Sequence, residues 1–477
     1  MPPRTSLKTF LATAHAALRA PPSKRPTPLT FVVGNESADL DSLCSALLLA
    51  YFHTYAPPAK RALVGDGSCS GASTLHIPVC HLQRADLALR PEFAAVLRDA
   101  DLGGDDVVTL EDILPRNSDG GRSLAAATAA TGQGGTEPGE AVRPEETRWL
   151  LVDHNAMTGS LARAFGSRVV GCVDHHADED AVPRDAAVRV VEKSGSCTSL
   201  VLERCTDIWA ALGPTVPPGD SGDAARIDAQ LARLALAPIL VDTSNLGDRN
   251  KTTPHDERAV ALAESKIAAD TTTTTTTTAA AAAAAGGDRY DRDAFFARIS
   301  ALKEDIAGMS LRDVLRKDYK EWSTGGLRLG TSSVPRGFGR LVEEKARGDA
   351  GALAAALGDW AAERDGDGGG GRMDLVVVLT AFRDDVDDDA GGRFARELLV
   401  WARGEAGVRA VERFEAACAR RLRLETWRGG ALDCDRAPGE DGRAEWRRCW
   451  TQGAVEHSRK QIAPMLRDAL KEVSGGK

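Results

Sequence analysis

Four short apolar runs, each ending on acidic or histidine side chains, constrain this sequence more than any other feature. They are FVVGNESADLDS (Phe31 to Ser42), WLLVDHN (Trp149 to Asn155), VVGCVDHH (Val169 to His176) and LAPILVDTSN (Leu236 to Asn245). A short apolar run bounded by Gly and polar residues reads as a strand of a parallel sheet buried on both faces. In open α/β sheets, ligands sit outside the carboxyl ends of the strands. The pattern therefore predicts that Asp39, Asp41, Asp153, His175, His176 and Asp242 crowd one rim. Several carboxylates brought that close repel one another unless a cation sits between them. The economical expectation is a two-metal site.

The length, 477 residues, argues for two domains rather than one. A net charge of −9 argues against a general nucleic-acid or membrane-surface binder, so a polyanionic substrate would need a local basic patch. Nine cysteines without regular CxxC pairing indicate reduced thiols and an intracellular home, with Cys172 and Cys197 as small apolar fillers. No apolar stretch reaches transmembrane length. The first 35 residues carry Arg4, Lys8, Arg19, Lys24 and Arg25 and no acid, the flavour of a transit peptide. Leu7, Phe10, Leu11, Ala14 and Leu18 nevertheless fall at helical spacing, which favours a folded amphipathic helix and a cytoplasmic protein. A monomer is expected.

Along the chain, Leu29 to Gly34 predicts a strand, Leu43 to Tyr55 a helix and Ala62 to Val64 the next strand. Asn117 to Glu146 is Gly-, Thr-, Ala- and Ser-rich and reads as a disordered surface insertion. Strands are expected at Trp149 to Val152, Arg168 to Val173 and Ala187 to Val191. Helices are expected from Ser196 and over Ala224 to Leu234, with a fourth ligand-bearing strand directly behind. Thr253 suits an N-cap, Pro254 the first turn and Asp256 the third position of a helix reaching Ile267. The Thr and Ala tract from Asp270 to Gly287 reads as a linker. The resulting division is 1–268, a linker 269–290, and a smaller α+β domain 291–477. In the last, helices are expected at Arg292 to Ile306, Ser310 to Lys317, Val408 to Arg420 and His457 to Val473. Its strands are expected at Leu327 to Val334, Met373 to Phe382 and Glu397 to Trp401.

Asp39 and Asp41, two apart in a strand-to-helix turn, can point carboxylates at two ions about 3.5–4 Å apart, the spacing of two-metal hydrolases. Asp153 is the candidate bridging ligand, with His175 and Asp242 completing the coordination of the second ion. Oxygen-rich ligands with few imidazoles suit Mg²⁺ or Mn²⁺ better than structural zinc. Such ions acidify a shared water and draw charge from a phosphoryl group. The segment SGSCTSLV (Ser194 to Val201) opens a helix whose free N–H groups could face an anion or be capped locally. Lys320, Arg336, Arg459 and Lys460 are candidate cations for phosphate, since Arg forks onto phosphate oxygens and Lys supplies a point charge.

With those motifs in place, the chain resembles the DHH phosphoesterase superfamily, named for the triplet that here is Asp174, His175 and His176. VVGNESADLDS, VDHN, VDHH and ILVDTSN look like its four ordered motifs. RKDYKEW and SRKQ resemble the C-terminal DHH-associated domain of family II pyrophosphatases and yeast-type exopolyphosphatases. The resemblance implies an α/β N-terminal parallel-sheet domain with helices on both faces, plus a smaller α+β domain. It implies metal ligation by Asp39, Asp41, Asp153, His175 and Asp242, a phosphate contact by His176, and substrate binding by Lys320, Arg459 and Lys460, with weaker support for Arg336. Asn35 stands where family II pyrophosphatases place a metal-binding histidine, which points to the exopolyphosphatase branch and to Asn35 as a substrate contact. The expected activity is removal of terminal phosphoryl groups from inorganic polyphosphate, with two divalent cations, Mg²⁺ or Mn²⁺. The alternative is an inorganic pyrophosphatase or a prune-like enzyme acting on short polyphosphates or nucleotides.

Overall fold

The first unit is built on the predicted apolar runs. Leu29–Val33 (β1), His76–Val79 (β2), Thr147–Val152 (β3), Val169–Asp174 (β4) and Val188–Val191 (β5) form a five-stranded sheet in the order β2-β1-β3-β4-β5, every pairing parallel. The computed structural model describes residues 3–64, 74–113, 142–215, 221–274, 290–366, 371–384, 392–439 and 442–475. The Asn117–Glu146 insertion therefore lies outside the described residues up to position 141. So does most of the Thr and Ala tract.

Register brings the carboxyl ends of the central strands level. Val33 pairs with Leu151, and Val152 pairs with Val173. The residues that follow each strand, Asn35, Asp153 and His175, therefore leave the sheet side by side. β1 is buried along its whole length, which is why it reads as an uninterrupted apolar run. The helix Leu7–Arg19 (α1) buries the side predicted for it, Leu7, Phe10, Leu11, Ala14 and Leu18. The helix Leu40–Thr54 (α2) is buried at every position, so its sequence carries little amphipathic signal.

Two predicted strands are corrected. Ala62 to Val64 belongs to a 3₁₀ segment, Pro58–Val64, and the strand is His76–Val79. Pro57 and Pro58 preset helical φ angles and lack N–H groups, so they favour a tight turn that takes in the short apolar triplet. Leu236 to Asp242 is the last part of a 22-residue helix, Ser221–Asp242, not a fourth ligand-bearing strand. Ala229, Leu231, Leu234, Ala235, Leu236, Ile239 and Leu240 are all fully buried, so periodicity could not separate this helix from a buried strand. Pro238 sits inside it, where it forgoes one backbone hydrogen bond.

Cys197–Ala210 (α3) precedes that long helix (α4), and Pro254–Thr274 (α5) packs along it. The chain divides into compact units between Lys303 and Glu304. Arg292–Glu304 (α6), which the sequence places with the second domain, buries Phe295 and Ile299 in the core of the first unit. Arg292 pairs with Glu264 there, and Asn245 donates to Asp293 at 2.6 Å.

The second unit carries a seven-stranded mixed sheet. Its path joins Tyr319–Thr324 (β6), Leu327–Val334 (β7), Leu375–Thr380 (β8), Glu397–Arg403 (β9) and Ala444–Gln452, with two short strands beyond. Alternation along β8 divides two cores. Val376 and Val378 face Val314, Leu357 and Trp360 on one side, whereas Leu375, Val377 and Leu379 face Val411, Phe414, Ile462 and Leu466 on the other. The last pair belongs to the helix Arg459–Ser474 (α7), and Val411 and Phe414 to Glu405–Leu422.

Candidate metal centre

Turns at the ends of β1, β3 and β4 bring the first ligands together. Asp39 caps α2, its Oδ1 accepting from Ser42 N at 3.1 Å. In the first turn of that helix, Asp41 is 2 % exposed. Asp153 follows β3 with φ of 61°, a left-handed value that Asp tolerates better than most residues. Its Oδ2 accepts from Asn35 Nδ2 and Ser42 Oγ, both at 2.7 Å. Its Oδ1 faces His175 Nε2 at 3.2 Å, and Asp41 Oδ2 lies 3.9 Å from the same nitrogen.

The tautomer of His175 follows from its other ring nitrogen. Ser194 O, which can only accept, lies 3.0 Å from Nδ1, so Nδ1 carries the proton. Nε2 then turns a lone pair toward two carboxylate oxygens. Acceptors face acceptors, and only a shared cation, proton or metal ion, reconciles them. Asp153, His175 and His176 offer ligand atoms that lie mutually within 4.8 Å. This donor set fits a divalent ion.

Asp41 carries the strongest electrostatic load. Burial and the carboxylates of Asp153, Asp242 and Asp39 push its carboxyl up to about 7, while His175 acts in the opposite direction. Against that push stand the hydrogen bonds of the predicted anion-facing segment. Ser196 Oγ (2.8 Å), Thr198 N (2.9 Å) and Thr198 Oγ (2.7 Å) donate to Asp41 Oδ1, and Cys197 N (2.6 Å) donates to Oδ2. The helix N-terminus does face an anion, and the anion is Asp41. Ser196 is also the N-cap, accepting from Thr198 N. Cys197 is more than a filler: Asp153 N donates to its Sγ at 3.2 Å, and its thiol donates to Val173 O.

His176 is oriented by the first residue of its own triplet. Its Nδ1 lies 2.8 Å from Asp174 Oδ1, and Asn155 Nδ2 donates to Asp174 Oδ2 at 2.6 Å. Burial pushes the Asp174 carboxyl up, but the hydrogen bond and charge of His176 hold it below the usual carboxylate range. Asp174 and Asn155 were not singled out from the sequence, although both stand inside the motifs. His154, whose Nδ1 reaches Val152 O at 2.9 Å, is pushed down to about 4 by burial.

Asp242 arrives from the end of α4 instead of a strand, and its charge reaches Asp41. Three successive residues behind it, Ser244, Asn245 and Leu246, have φ of 52°, 58° and 63°. Backbone strain of this kind, on the order of 1–3 kcal/mol per residue, persists only where neighbours hold it. Here Asn245 N donates to Leu240 O and Asp248 N to Thr243 O. Lys303 Nζ stands 3.7 Å from Asp242, a neighbour that no motif signalled.

Asn35 is corrected in its expected role. Its Nδ2 is held by Asp153, and its Oδ1 accepts from Ser37 N (3.0 Å) and Oγ (2.6 Å), so both ends of the amide are engaged inside the protein. In the second unit, Arg459 donates to Asp318 O (2.9 Å) and Oδ1 (2.8 Å), two residues before Lys320 on β6. Ser458 and Gln461 form a capping box around the start of α7, leaving Lys460 exposed in its first turn. Arg336 donates to Pro335 O and pairs at 3.8 Å with Glu304.

Residues 30–239 match the model of the DHH family, N-terminal domain, and residues 297–469 match that of the DHHA2 domain. A Schizosaccharomyces pombe protein named "Putative exopolyphosphatase" is 27% identical over 474 residues, 99% of this chain and 97% of that protein. The Mus musculus protein named "Exopolyphosphatase PRUNE1" is 26% identical over 311 residues, 64% of this chain and 52% of that protein, so the similarity spans about half of its length. Among solved structures, that titled "Methanococcus jannaschii putative family II inorganic pyrophosphatase" aligns with a TM-score of 0.46 at 16% identity, covering 92% of this chain and 99% of its own.

Proposed function

The chain belongs to the DHH family, an N-terminal DHH domain followed by a DHHA2 domain, and from that premise we propose that it is a metal-dependent exopolyphosphatase. The substrate is inorganic polyphosphate, from which terminal phosphoryl groups leave as orthophosphate. One observation carries the metal dependence: Nε2 of His175 turned toward the carboxylates of Asp41 and Asp153 while Nδ1 is held by Ser194 O. The relative from Schizosaccharomyces pombe, similar from end to end, supports the substrate.

Asp41, Asp153 and His175 would hold the ions, Mg²⁺ or Mn²⁺, with Asp39 and Asp242 beside them. When bound, such ions polarise a phosphoryl group and make a water nucleophilic near neutral pH. The protein's own residues do the rest. Asn35 and Ser42 fix the outer oxygen of Asp153, so its inner oxygen cannot swing away. The α3 N-terminus fixes Asp41 in the same way. His176, its ring fixed by the contact of Nδ1 with Asp174, is the candidate contact to a phosphoryl oxygen. Lys320, Arg459 and Lys460 contribute cationic contacts to further phosphate units, a role for which Arg336 is the weakest candidate.

Orthophosphate release is to be followed on long polyphosphate, tripolyphosphate and pyrophosphate with Mg²⁺ or Mn²⁺. Early orthophosphate from long chains is expected. Mid-chain fragments without early orthophosphate would overturn the exo reading, and preference for pyrophosphate would make the enzyme a pyrophosphatase.

A further inference from the structure

We propose that Asp256, a residue of α5 that holds no ligand itself, is a positioning residue for the metal centre, acting through the Ser194–Ser199 segment. The inference rests on the metal-dependent reading above.

Asp256 is fully buried and accepts six hydrogen bonds. Ser194 Oγ (3.1 Å), Ser196 N (3.2 Å) and Ser199 Oγ (2.6 Å) donate to its Oδ1. Gly195 N (2.9 Å), Thr253 N (2.8 Å) and Thr253 Oγ (2.8 Å) donate to its Oδ2. Four residues of the segment, Ser194, Gly195, Ser196 and Ser199, are thereby fastened from behind. The opposite side of that segment reaches three of the candidate ligands. Ser194 O takes the Nδ1 proton of His175, Ser196 to Thr198 clasp Asp41, and Cys197 Sγ receives the backbone N–H of Asp153. At Gly195 a Cβ would stand 2.9 Å from Asp256 Oδ2 and 2.6 Å from Thr243 Cγ2, so glycine permits the close approach. Thr243 is the neighbour of Asp242. Two aspartates thus act in series, Asp256 holding the segment and the segment holding Asp41.

An anion is required at this position. Burial pushes the Asp256 carboxyl up, yet the hydrogen bonds from Ser199, Thr253 and Gly195 hold it below the usual range. An asparagine amide cannot replace it in either orientation. Its NH₂ would meet the N–H groups of Gly195 and Thr253 on one side, or that of Ser196 on the other.

The test is Mn²⁺ binding to the full chain without substrate, followed by electron paramagnetic resonance of free Mn²⁺ well below the unfolding midpoint. Asp256→Asn is expected to weaken Mn²⁺ binding about 10- to 100-fold, the usual effect of losing a group that orients metal ligands. Thr253→Val keeps the backbone N–H and removes a bond between Asp256 and its own helix turn, but none to the Ser194–Ser199 segment, so it serves as the control for helix destabilisation. It is expected to lower the unfolding temperature while leaving Mn²⁺ affinity within about twofold. A folded Asp256→Asn protein with unchanged affinity overturns the inference, as does Thr253→Val weakening Mn²⁺ equally. Should Asp256→Asn not fold, Ser199→Ala removes one of the six bonds. Severalfold weaker binding then supports the inference and unchanged binding overturns it. If the unsubstituted chain binds no divalent ion, the metal-dependent reading itself falls and takes this inference with it.

Discussion

Replacing Asp153 by Asn separates the folding role of this residue from its role at the metal centre. The amide oxygen can occupy the Oδ2 position, where Asn35 Nδ2 and Ser42 Oγ already donate at 2.7 Å. The NH₂ then takes the Oδ1 position, 3.2 Å from the lone pair of His175 Nε2. Acceptor facing acceptor becomes donor facing acceptor, a bond of about 1 kcal/mol net. Two charge-assisted hydrogen bonds become neutral ones, a loss of about 1 kcal/mol each. Removing the Asp153 charge also relieves repulsion on Asp41, which offsets much of that loss. Asn is tolerated at a φ of 61°. The metal-free variant is therefore expected within about 2 kcal/mol of the parent in urea unfolding with EDTA present. Metal binding and turnover respond differently, because an N–H donor now points where a cation would sit. Orthophosphate release is expected to fall by at least about 10³-fold, roughly 4 kcal/mol in activation free energy. Parental turnover by Asp153→Asn would refute the assignment. Destabilisation well beyond 2 kcal/mol would refute the hydrogen-bond accounting instead.

Asp41 gives a pH prediction. Its carboxyl is raised from 3.8 to about 7, so the stability it contributes is fully present below about pH 4 and is lost as pH rises through about 7. That loss is on the order of 4 kcal/mol at about 1.4 kcal/mol per pH unit, and melts in EDTA from pH 4 to 8 should show it in the parent but not in Asp41→Asn. Divalent-ion affinity should rise over the same range, because binding must displace that proton. His176→Asn is expected to lower kcat about 10²- to 10⁴-fold while changing Mn²⁺ affinity only severalfold, read by phosphate release and metal titration. At Gly34 a Cβ would lie 2.4 Å from Ser42 Cβ and 2.9 Å from its Cα, so Gly34→Ala must shift the start of α2. Urea unfolding should register a loss of about 1–3 kcal/mol, with weaker metal binding as Ser42 Oγ leaves Asp153.

The strand-borne part of the site was legible because two periodicities agreed. Phe31–Val33, Trp149–Val152 and Gly171–Val173 are buried, which leaves uninterrupted apolar runs, and ligand types stand in the turn that follows each. Parallel registry then converts neighbours in the sheet into neighbours at its rim. The same logic misassigned Leu236 to Asp242. A helix buried all round, like α4, loses the 3.6-residue alternation that would reveal it and leaves a run like that of a strand. Asp242 comes from a helix end instead of a strand end, and its charge reaches Asp41 from there.

What orients the ligands was far less legible than the ligands themselves, and the reason is chemical. A metal-binding residue type is rare enough to be noticed in a short motif, but its partners are backbone groups and ordinary hydroxyls. Ser194 O sets the tautomer of His175, Cys197 N and Thr198 N hold Asp41, and no side-chain identity announces a carbonyl or an amide. Asn35 shows the converse. As a polar side chain at the end of a strand it invites a substrate role, yet both ends of its amide are spent on Asp153 and Ser37. With an amide there, the first ligand position loses an imidazole and gains rigidity in the carboxylate beside it. An all-oxygen shell around that ion favours Mg²⁺ more than an imidazole-containing one would. The Mg²⁺ to Mn²⁺ activity ratio should therefore be higher for the parent than for Asn35→His, and an unchanged ratio would show that this position does not set metal preference.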